Sequence, residues 1–304
     1  MKGIELPEID QVQLIKIKNE KINEIINLKE IKELIEQNQI DIDFIKRHLY
    51  YFVTYLKDYS ICSNCIGPSQ CQKKGSHLML DLSIDKSNDL VSFRYLKCPE
   101  EKKLDKVKSK FLIRQFENQY LYFRFKDCLA NFAVERHDLV SKLVEFKNHP
   151  SEKGIYISGD QETGKSFILK LFSVYLAKQD FAKEICFIDC QNEFAALERL
   201  YTNALDYFSF YIDQMKEVQY LFLDDLGKEF KNDFVLNQIL LPVITYRFEN
   251  KLATFISSNY TVNELKTAYS YNRNNYKVAT QISSMIKEMT IEKSLKGISY
   301  TKLQ

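Results

Sequence analysis

One octapeptide constrains this chain more than any other stretch: Gly159-Asp160-Gln161-Glu162-Thr163-Gly164-Lys165-Ser166. It follows directly on the apolar run Gly154-Ile155-Tyr156-Ile157-Ser158, and an apolar-striped segment at 167–179 with helical spacing follows it. A buried strand that passes through a glycine loop straight into a helix is the opening of a βαβ unit. The rest of the fold must therefore supply further parallel strands and covering helices.

The octapeptide meets G-x-x-x-x-G-K-[ST] at every fixed position. Its glycines let the backbone curl so that successive N–H groups point inward, and the following helix turns its positive end to the same place. The loop is thus built for phosphate. Lys165 is expected at the β- and γ-phosphates of ATP, and the Ser166 hydroxyl on magnesium. Gly159 to Ser166, and Phe167 at the start of the helix, are the expected nucleotide-binding residues. About sixty residues on, Gln219-Tyr220-Leu221-Phe222-Leu223 is an apolar strand ending in Asp224-Asp225. Asp224 suits magnesium held through water, and Asp225 suits the base that polarises an attacking water. A third run, Thr254-Phe255-Ile256-Ser257-Ser258, ends in Asn259, a neutral amide able to orient that water or touch the γ-phosphate. Lys165, Asp224, Asp225 and Asn259 are the expected catalytic set.

The same alternation continues around these motifs. EICFIDC at 184–190 reads as another strand, and 192–217 as a helical stretch. Short apolar strands between helices imply a parallel sheet covered on both faces. The expected fold is an α/β P-loop NTPase preceded by a small, mainly helical metal-binding domain. With 304 residues the chain exceeds what one core usually organises, so two domains are expected, the larger burying a five-stranded sheet.

The amino-terminal part differs in character. Residues 8–60 are rich in Ile, Leu, Lys and Glu, and Ile42, Ile45, Leu49, Phe52, Val53 and Leu56 trace one helical face, with Asp41 or Asp43 as N-cap. Cys62, Cys65 and Cys71 follow, then two strand-like runs at 78–80 and 91–95 separated by Asp85-Lys86-Ser87-Asn88-Asp89. Seven cysteines, an odd number with three so crowded, fit a metal site among reduced thiols better than a disulfide framework. Cys128, Cys186 and Cys190 read as core cysteines. Between 97 and 126 basic residues outnumber acidic ones with aromatics interleaved. The boundaries expected are 1–100 for the first domain, 101–127 for a basic linker and 128–304 for the nucleotide-binding domain. No apolar run approaches a membrane span and no secretory leader is evident, so the chain is read as cytoplasmic. The net charge of +2 excludes nucleic-acid binding by a global field, leaving only a local patch.

Taken together, the P-loop, Leu221-Phe222-Leu223-Asp224-Asp225-Leu226-Gly227-Lys228-Glu229 and the run from Thr254 to Leu265 resemble the ATPase domain of DnaI/DnaC-type helicase loaders, members of the AAA+ superfamily. Asn131-Phe132-Ala133-Val134 is similar to the family's segment near the adenine. Cys62-x2-Cys65-x5-Cys71, His77 and Cys98-Pro99 resemble the zinc-bearing helicase-interaction domain of the DnaI branch. Cys62 and Cys65 can take one zinc from a tight turn, and two more nitrogen or sulfur ligands complete a tetrahedron. His77 and Cys98 are the chosen pair, one from each side of the strand pair, with Cys71 the alternative to either.

The resemblance implies an ATP-dependent loader that places the hexameric replicative DNA helicase on single-stranded DNA. It also implies ATP, Mg2+ and Zn2+ as cofactors and possible self-association into a ring or spiral. Two other functions share parts of the pattern: a non-catalytic ATP-binding zinc adaptor, and a helper ATPase of transposition. The sequence departs from the family on the helix at 278–290, where Gln281 and Met285 stand at positions that favour the arginine given to a neighbouring subunit. Arg273, Lys277, Lys287 and Arg247 are the substitutes considered.

Overall fold

The computed structural model describes residues 11–295 apart from 66, 68–70, 74–75, 124 and 126–133. Two compact units divide the chain, Met1–Lys103 and Leu104–Gln304. Among the described residues no helix is long and apolar enough to cross a membrane.

The first unit begins with α1 (Gln11–Asn27), α2 (Lys29–Asn38), α3 (Ile42–Arg47) and α4 (Leu49–Ser63). Asp41 caps α3, its carboxylate accepting from Phe44 N at 2.7 Å. The apolar face expected from Ile42 to Leu56 is split, because the chain breaks step at His48 between α3 and α4. Ile42 consequently points to solvent, and Phe44 enters the core with Ile45 and Phe52. β1 (Leu78–Asp85) and β2 (Leu90–Lys97) form an antiparallel hairpin around the expected polar turn. Leu80, Leu82 and Val91 close it onto the helical core.

The second unit is a six-stranded sheet in the order β3-β5-β6-β7-β4-β8, with every recorded pairing parallel. Its strands are β3 (Phe111–Arg114), β4 (Gly154–Ser158), β5 (Ile185–Asp189), β6 (Tyr220–Leu226), β7 (Thr254–Ser258) and β8 (Thr290–Ser294). The helices are α6 (Val134–Asn148), α7 (Lys165–Ala177), α8 (Cys190–Asn203), α9 (Leu205–Glu217), α10 (Leu241–Glu249), α11 (Val262–Tyr269) and α12 (Asn275–Met289). The central strands are buried at nearly every position, and the period of two sorts their apolar side chains to opposite faces. Cys186, Ile188, Leu221, Leu223 and Ile256 join α8, α9, α10 and α12 on one side. Phe187, Tyr220, Phe222, Phe255 and Ile157 join α6 and α7 on the other. Each such side chain contributes roughly 1.5–3 kcal/mol by leaving water.

Three expectations change. The sheet has six strands, not five. β8 is a polar edge strand, Thr290-Ile291-Glu292-Lys293-Ser294, mostly exposed beyond Thr290, so it carries no apolar run to read. The segment expected as a basic linker, 101–127, instead holds the end of α5 (Pro99–Lys108) and the edge strand β3. There Phe116 and Leu121 are buried while the lysines stay at the surface. Finally, 192–217 is two helices. Ala204 adopts φ −156°, ψ 68°, ending α8 and starting α9.

Candidate functional site

The carboxyl ends of β4, β6 and β7 meet at one cleft of about 200 Å³, lined by Gln161, Glu162, Gly164, Lys165, Ser166, Asp225, Lys228 and Asn259. Ligands of open parallel sheets bind at such strand ends.

The loop from β4 into α7 is held from several directions. Thr163 Oγ1 donates to Asp160 O at 2.9 Å, and the buried Arg136 on α6 donates from Nη2 to Thr163 O at 2.7 Å. Leu295 N donates to Ser158 O at 2.7 Å. A Cβ on Gly159 would sit 2.1 Å from Leu295 O, so only glycine allows the strand ends to pass so closely. Gly164, with φ 88°, is the N-cap of α7 and offers no side-chain cap, leaving the first-turn amides for an anion. Lys165 is 4% exposed and donates to Gly159 O at 2.8 Å and Asp160 O at 2.6 Å. Burial lowers its pKa, while the nearby carboxylates of Asp225, Asp160 and Asp224 pull in the opposite direction. A lysine resting on its own loop's carbonyls gains by moving to phosphate. The donor set thus fits a polyphosphate. Phe167 differs from expectation in detail: its ring packs against Tyr120 and Phe123, with centroids 6.1 and 6.0 Å away. Only its backbone amide is left to face phosphate.

Asp224 is 5% exposed, and burial raises its pKa, opposed by hydrogen bonds from Ser257 and Ser166. Ser257 Oγ donates to Asp224 Oδ1 at 2.5 Å and accepts from Asp225 N at 2.9 Å. A hard cation beside Asp224 and Ser166 would relieve that buried charge, and two oxygen donors from adjoining elements suit magnesium. Asn259 Oδ1 is buried without a hydrogen-bond partner, an acceptor that fits a water held between it and Asp225.

Sequence reasoning singled out the P-loop, both aspartates and Asn259, and the fold gathers all of them. It missed Arg136, which stands in no motif, and gave no role to Ser257 or Lys228, although both lie inside runs it quoted. The segment expected near the adenine lies outside the described residues at Asn131, Phe132 and Ala133, as does Cys128. Cys186 and Cys190 are fully buried, and burial pushes the Cys186 thiol up to about 12.

In the first unit, Cys62, Cys65, Cys71, His77 and Cys98 line one cavity of about 490 Å³ with Lys73 and Tyr59. Cys65 N donates to Cys62 O at 3.1 Å, closing a turn after α4, and Gly67 N donates to Cys65 Sγ at 3.4 Å. Cys98 N donates to His77 O at 3.0 Å, linking the two ends of the hairpin. Among the described residues no three His, Cys, Asp or Glu side chains converge closely enough to hold a metal ion. The residue types are those zinc takes and they share one cavity, but as placed their side chains do not converge on a single ion.

No family model matches the sequence. The replicative helicase loader DnaI of Bacillus subtilis (strain 168) is 25% identical over 273 residues, 86% of this chain and 83% of the relative. That alignment is longer than the second unit, so it extends into the first. Along most of its length the chain resembles the DnaI type of loader. A crystal structure of DnaI covers 62% of this chain and 98% of its own, with a TM-score of 0.53 and 23% identity. A putative primosome component from Streptococcus pyogenes serotype M3 covers 64% of this chain and 97% of its own, with a TM-score of 0.51 and 23% identity. Both likenesses bear on the fold alone, a parallel sheet covered by helices.

Against the DnaI-type pattern, one substitute for the missing trans arginine is overturned. Arg247 is fully buried. It donates to Thr254 Oγ1 at 2.8 Å and to the carbonyls of Met215, Lys216, Val218, Gln219 and Ala253, tying α9 and α10 to the foot of β7. Burial lowers its pKa to about 9, still protonated at neutral pH. On α12, Met285 is buried in the core, whereas Gln281, Lys277 and Lys287 are exposed, as is Arg273 before the helix.

Proposed function

We propose that this chain is an ATP- and magnesium-dependent loader of the hexameric replicative DNA helicase onto single-stranded DNA during initiation or restart of replication. The observation that carries the reading is the DnaI alignment running through both units, since a shared ATPase fold alone would leave the client open. It also separates this reading from a transposition helper, which shares the ATPase motifs and not the first unit.

In this reading the first unit grips the helicase. Cys62 and Cys65, with His77 and Cys98 or with Cys71 in place of either, would hold a zinc, which would supply a structural cross-link within this unit. The second unit binds ATP: the loop amides and Lys165 embrace the phosphates, and Ser166 with Asp224 holds magnesium, which supplies charge neutralisation at the phosphoryl oxygens. Asp225 accepts a proton-side hydrogen bond from the attacking water while Asn259 orients it. A switch of this kind needs the nucleotide to favour one conformation by a few kcal/mol, within reach of γ-phosphate contacts. Self-association into a ring or spiral would add a cation from a neighbour.

A second reading, an ATP-binding zinc adaptor that does not turn over nucleotide, is favoured by Gln281 and the buried Met285 on α12. One experiment separates them. The full chain is mixed with the purified helicase and a closed single-stranded circle, and both ATP turnover and helicase on the circle are measured for the natural protein and Lys165→Ala. Loading lost in Lys165→Ala, with helicase binding retained, is the expected result. Loading unchanged in that variant overturns the switch. Helicase captured with no detectable turnover selects the adaptor, and no capture at all removes the helicase as client.

A further inference from the structure

We propose that Lys228 is the cation that senses the γ-phosphate from within the same subunit, exchanging Asp225 for the terminal phosphoryl group when ATP binds. The inference rests on the nucleotide-site reading above and concerns a residue that none of the motifs assigns.

The argument begins with the turn after β6. Asp225 has φ 57° and Gly227 φ 96°, two left-handed residues within three positions. Lys228 N donates to Asp225 O at 3.1 Å, closing the turn, and the chain doubles back over the end of its own strand. A Cβ on Gly227 would meet Tyr260 Cδ2 at 2.8 Å and Leu265 Cδ1 at 2.9 Å, so the turn is pressed against the β7 exit and α11. Glu229, 3% exposed, locks it: one carboxylate oxygen accepts from Gly227 N at 2.7 Å and the other from Tyr269 Oη at 2.6 Å. The backbone of Lys228 is therefore fixed from both sides, and its side chain reaches back into the cleft.

There its Nζ pairs with Asp225 Oδ2 at 2.8 Å. Both side chains are only partly covered, at 29% and 26% exposure, and both line the cavity with Lys165, Ser166 and Asn259. Two ammonium groups thus face a space whose lining is otherwise neutral amides, a hydroxyl and two carboxylates. Without nucleotide, the counter-charge of Lys228 is Asp225. A triphosphate brings several negative charges to the mouth of the loop, and a lysine on a flexible stem anchored at a rigid turn can follow them without moving the backbone.

The exchange has a chemical consequence. While Lys228 holds Asp225 Oδ2, the ammonium charge draws on the carboxylate and makes it a weaker base toward a water. Transfer of the ammonium to the γ-phosphate frees Oδ2 to accept from the attacking water, and it places positive charge on the group where negative charge develops. ADP lacks the phosphoryl group that draws the lysine away, so the pair stays closed. The cleft therefore distinguishes ATP from ADP in cis, which offsets the missing arginine on α12.

The test is equilibrium binding of ATP and ADP with Mg2+ to the full chain, read by displacement of a fluorescent nucleotide, for the natural protein, Lys228→Ala and Lys228→Arg. Loss of one charge-assisted contact to the γ-phosphate predicts that Lys228→Ala weakens ATP about tenfold or more and leaves ADP within about twofold. Lys228→Arg restores most of the preference. Equal ATP and ADP affinities in the natural protein and in Lys228→Ala, with the same melting temperature, overturn the inference while leaving the nucleotide site intact. Failure of the natural protein to bind either nucleotide overturns both. If Lys228→Ala melts early, Lys228→Met keeps the stem in place and takes its position in the same comparison.

Discussion

Ser257 Oγ donates to Asp224 Oδ1 at 2.5 Å and accepts from Asp225 N at 2.9 Å, so one hydroxyl on β7 holds the Asp224 carboxylate and the Asp225 backbone together. Neither aspartate's position is decided by its own strand alone. Asp225, one residue before the end of β6, is left-handed, and the pairing of β6 with β7 skips between Leu223 and Leu226. The hydroxyl fills the gap that this irregularity opens.

Replacing Ser257 with Ala leaves a buried carboxylate and a buried N–H without their shared partner. Such orphaned groups cost about 1–3 kcal/mol each way they are counted. A lower melting temperature is expected for the nucleotide-free protein, together with a weaker dependence of ATP binding on magnesium, measured by titrating Mg2+ at fixed nucleotide. An unchanged magnesium dependence would detach Ser257 from the site.

Asp224→Asn should stabilise the nucleotide-free protein at neutral pH and abolish the effect of magnesium on ATP binding. Burial raises the folded-state pKa of Asp224, so its carboxyl favours the fold in its protonated form, fully below the ordinary carboxylate value of about 3.9. That contribution is lost as pH rises through the raised value. The stability gain of the variant is therefore absent in acid and grows as pH rises through that raised value. A gain of about 1 kcal/mol corresponds to roughly 2–4 °C in a unit of this size. Scanning the melting temperature of both proteins from acid to neutral pH checks the sign.

Arg247→Ala should be among the most damaging single changes in the second unit. It removes the partner of five carbonyls and of Thr254 and leaves a cavity under β7. Losses of about 3–5 kcal/mol follow when one side of a buried charged network is removed. Denaturant unfolding measures it. An exposed trans-acting arginine would instead leave stability untouched and lower turnover.

Chelation of the purified full chain should release about one zinc per chain and unfold the first unit alone, because metal binding and folding are coupled in small sites of this kind. The Cys62→Ser, Cys65→Ser double variant should behave like the chelated protein. ATP affinity is expected to stay unchanged in both. Loss of an early calorimetric transition with the late one retained is the signature, and an intact early transition after complete metal removal would exclude a structural zinc.

The nucleotide site was legible because each of its parts is a short run at the end of a buried strand. An all-apolar strand such as Tyr220-Leu221-Phe222-Leu223 can only be central in a parallel sheet, and the polar residues closing it can only sit at the ligand end. Where strands lie at the edge, the signal fades. β8, Thr290-Ile291-Glu292-Lys293-Ser294, is polar and mostly exposed, and β3, Phe111-Leu112-Ile113-Arg114, is a four-residue, mainly apolar run only partly buried and set among lysines, too short to mark a strand by itself. The break at Ala204 is equally silent, since alanine favours helix and only the packing of α8 and α9 turns it out.

By itself, then, the sequence determined the strand–loop–helix of the P-loop, the acidic strand end, the hairpin beside the cysteines and the division into two units. All of these follow from local period, glycine placement and apolar runs. Tertiary structure alone decided that Ser257 serves Asp224, that Arg136 braces the P-loop, that Arg247 is a buried strut, and that the turn after β6 folds Lys228 back onto Asp225 at the cleft. Each of those depends on residues far apart in the chain meeting at one point, or on a turn whose left-handed backbone is fixed by its neighbours. Local pattern carries no information on either, because the deciding energies are those of buried hydrogen bonds and charge pairs formed only when the sheet has closed.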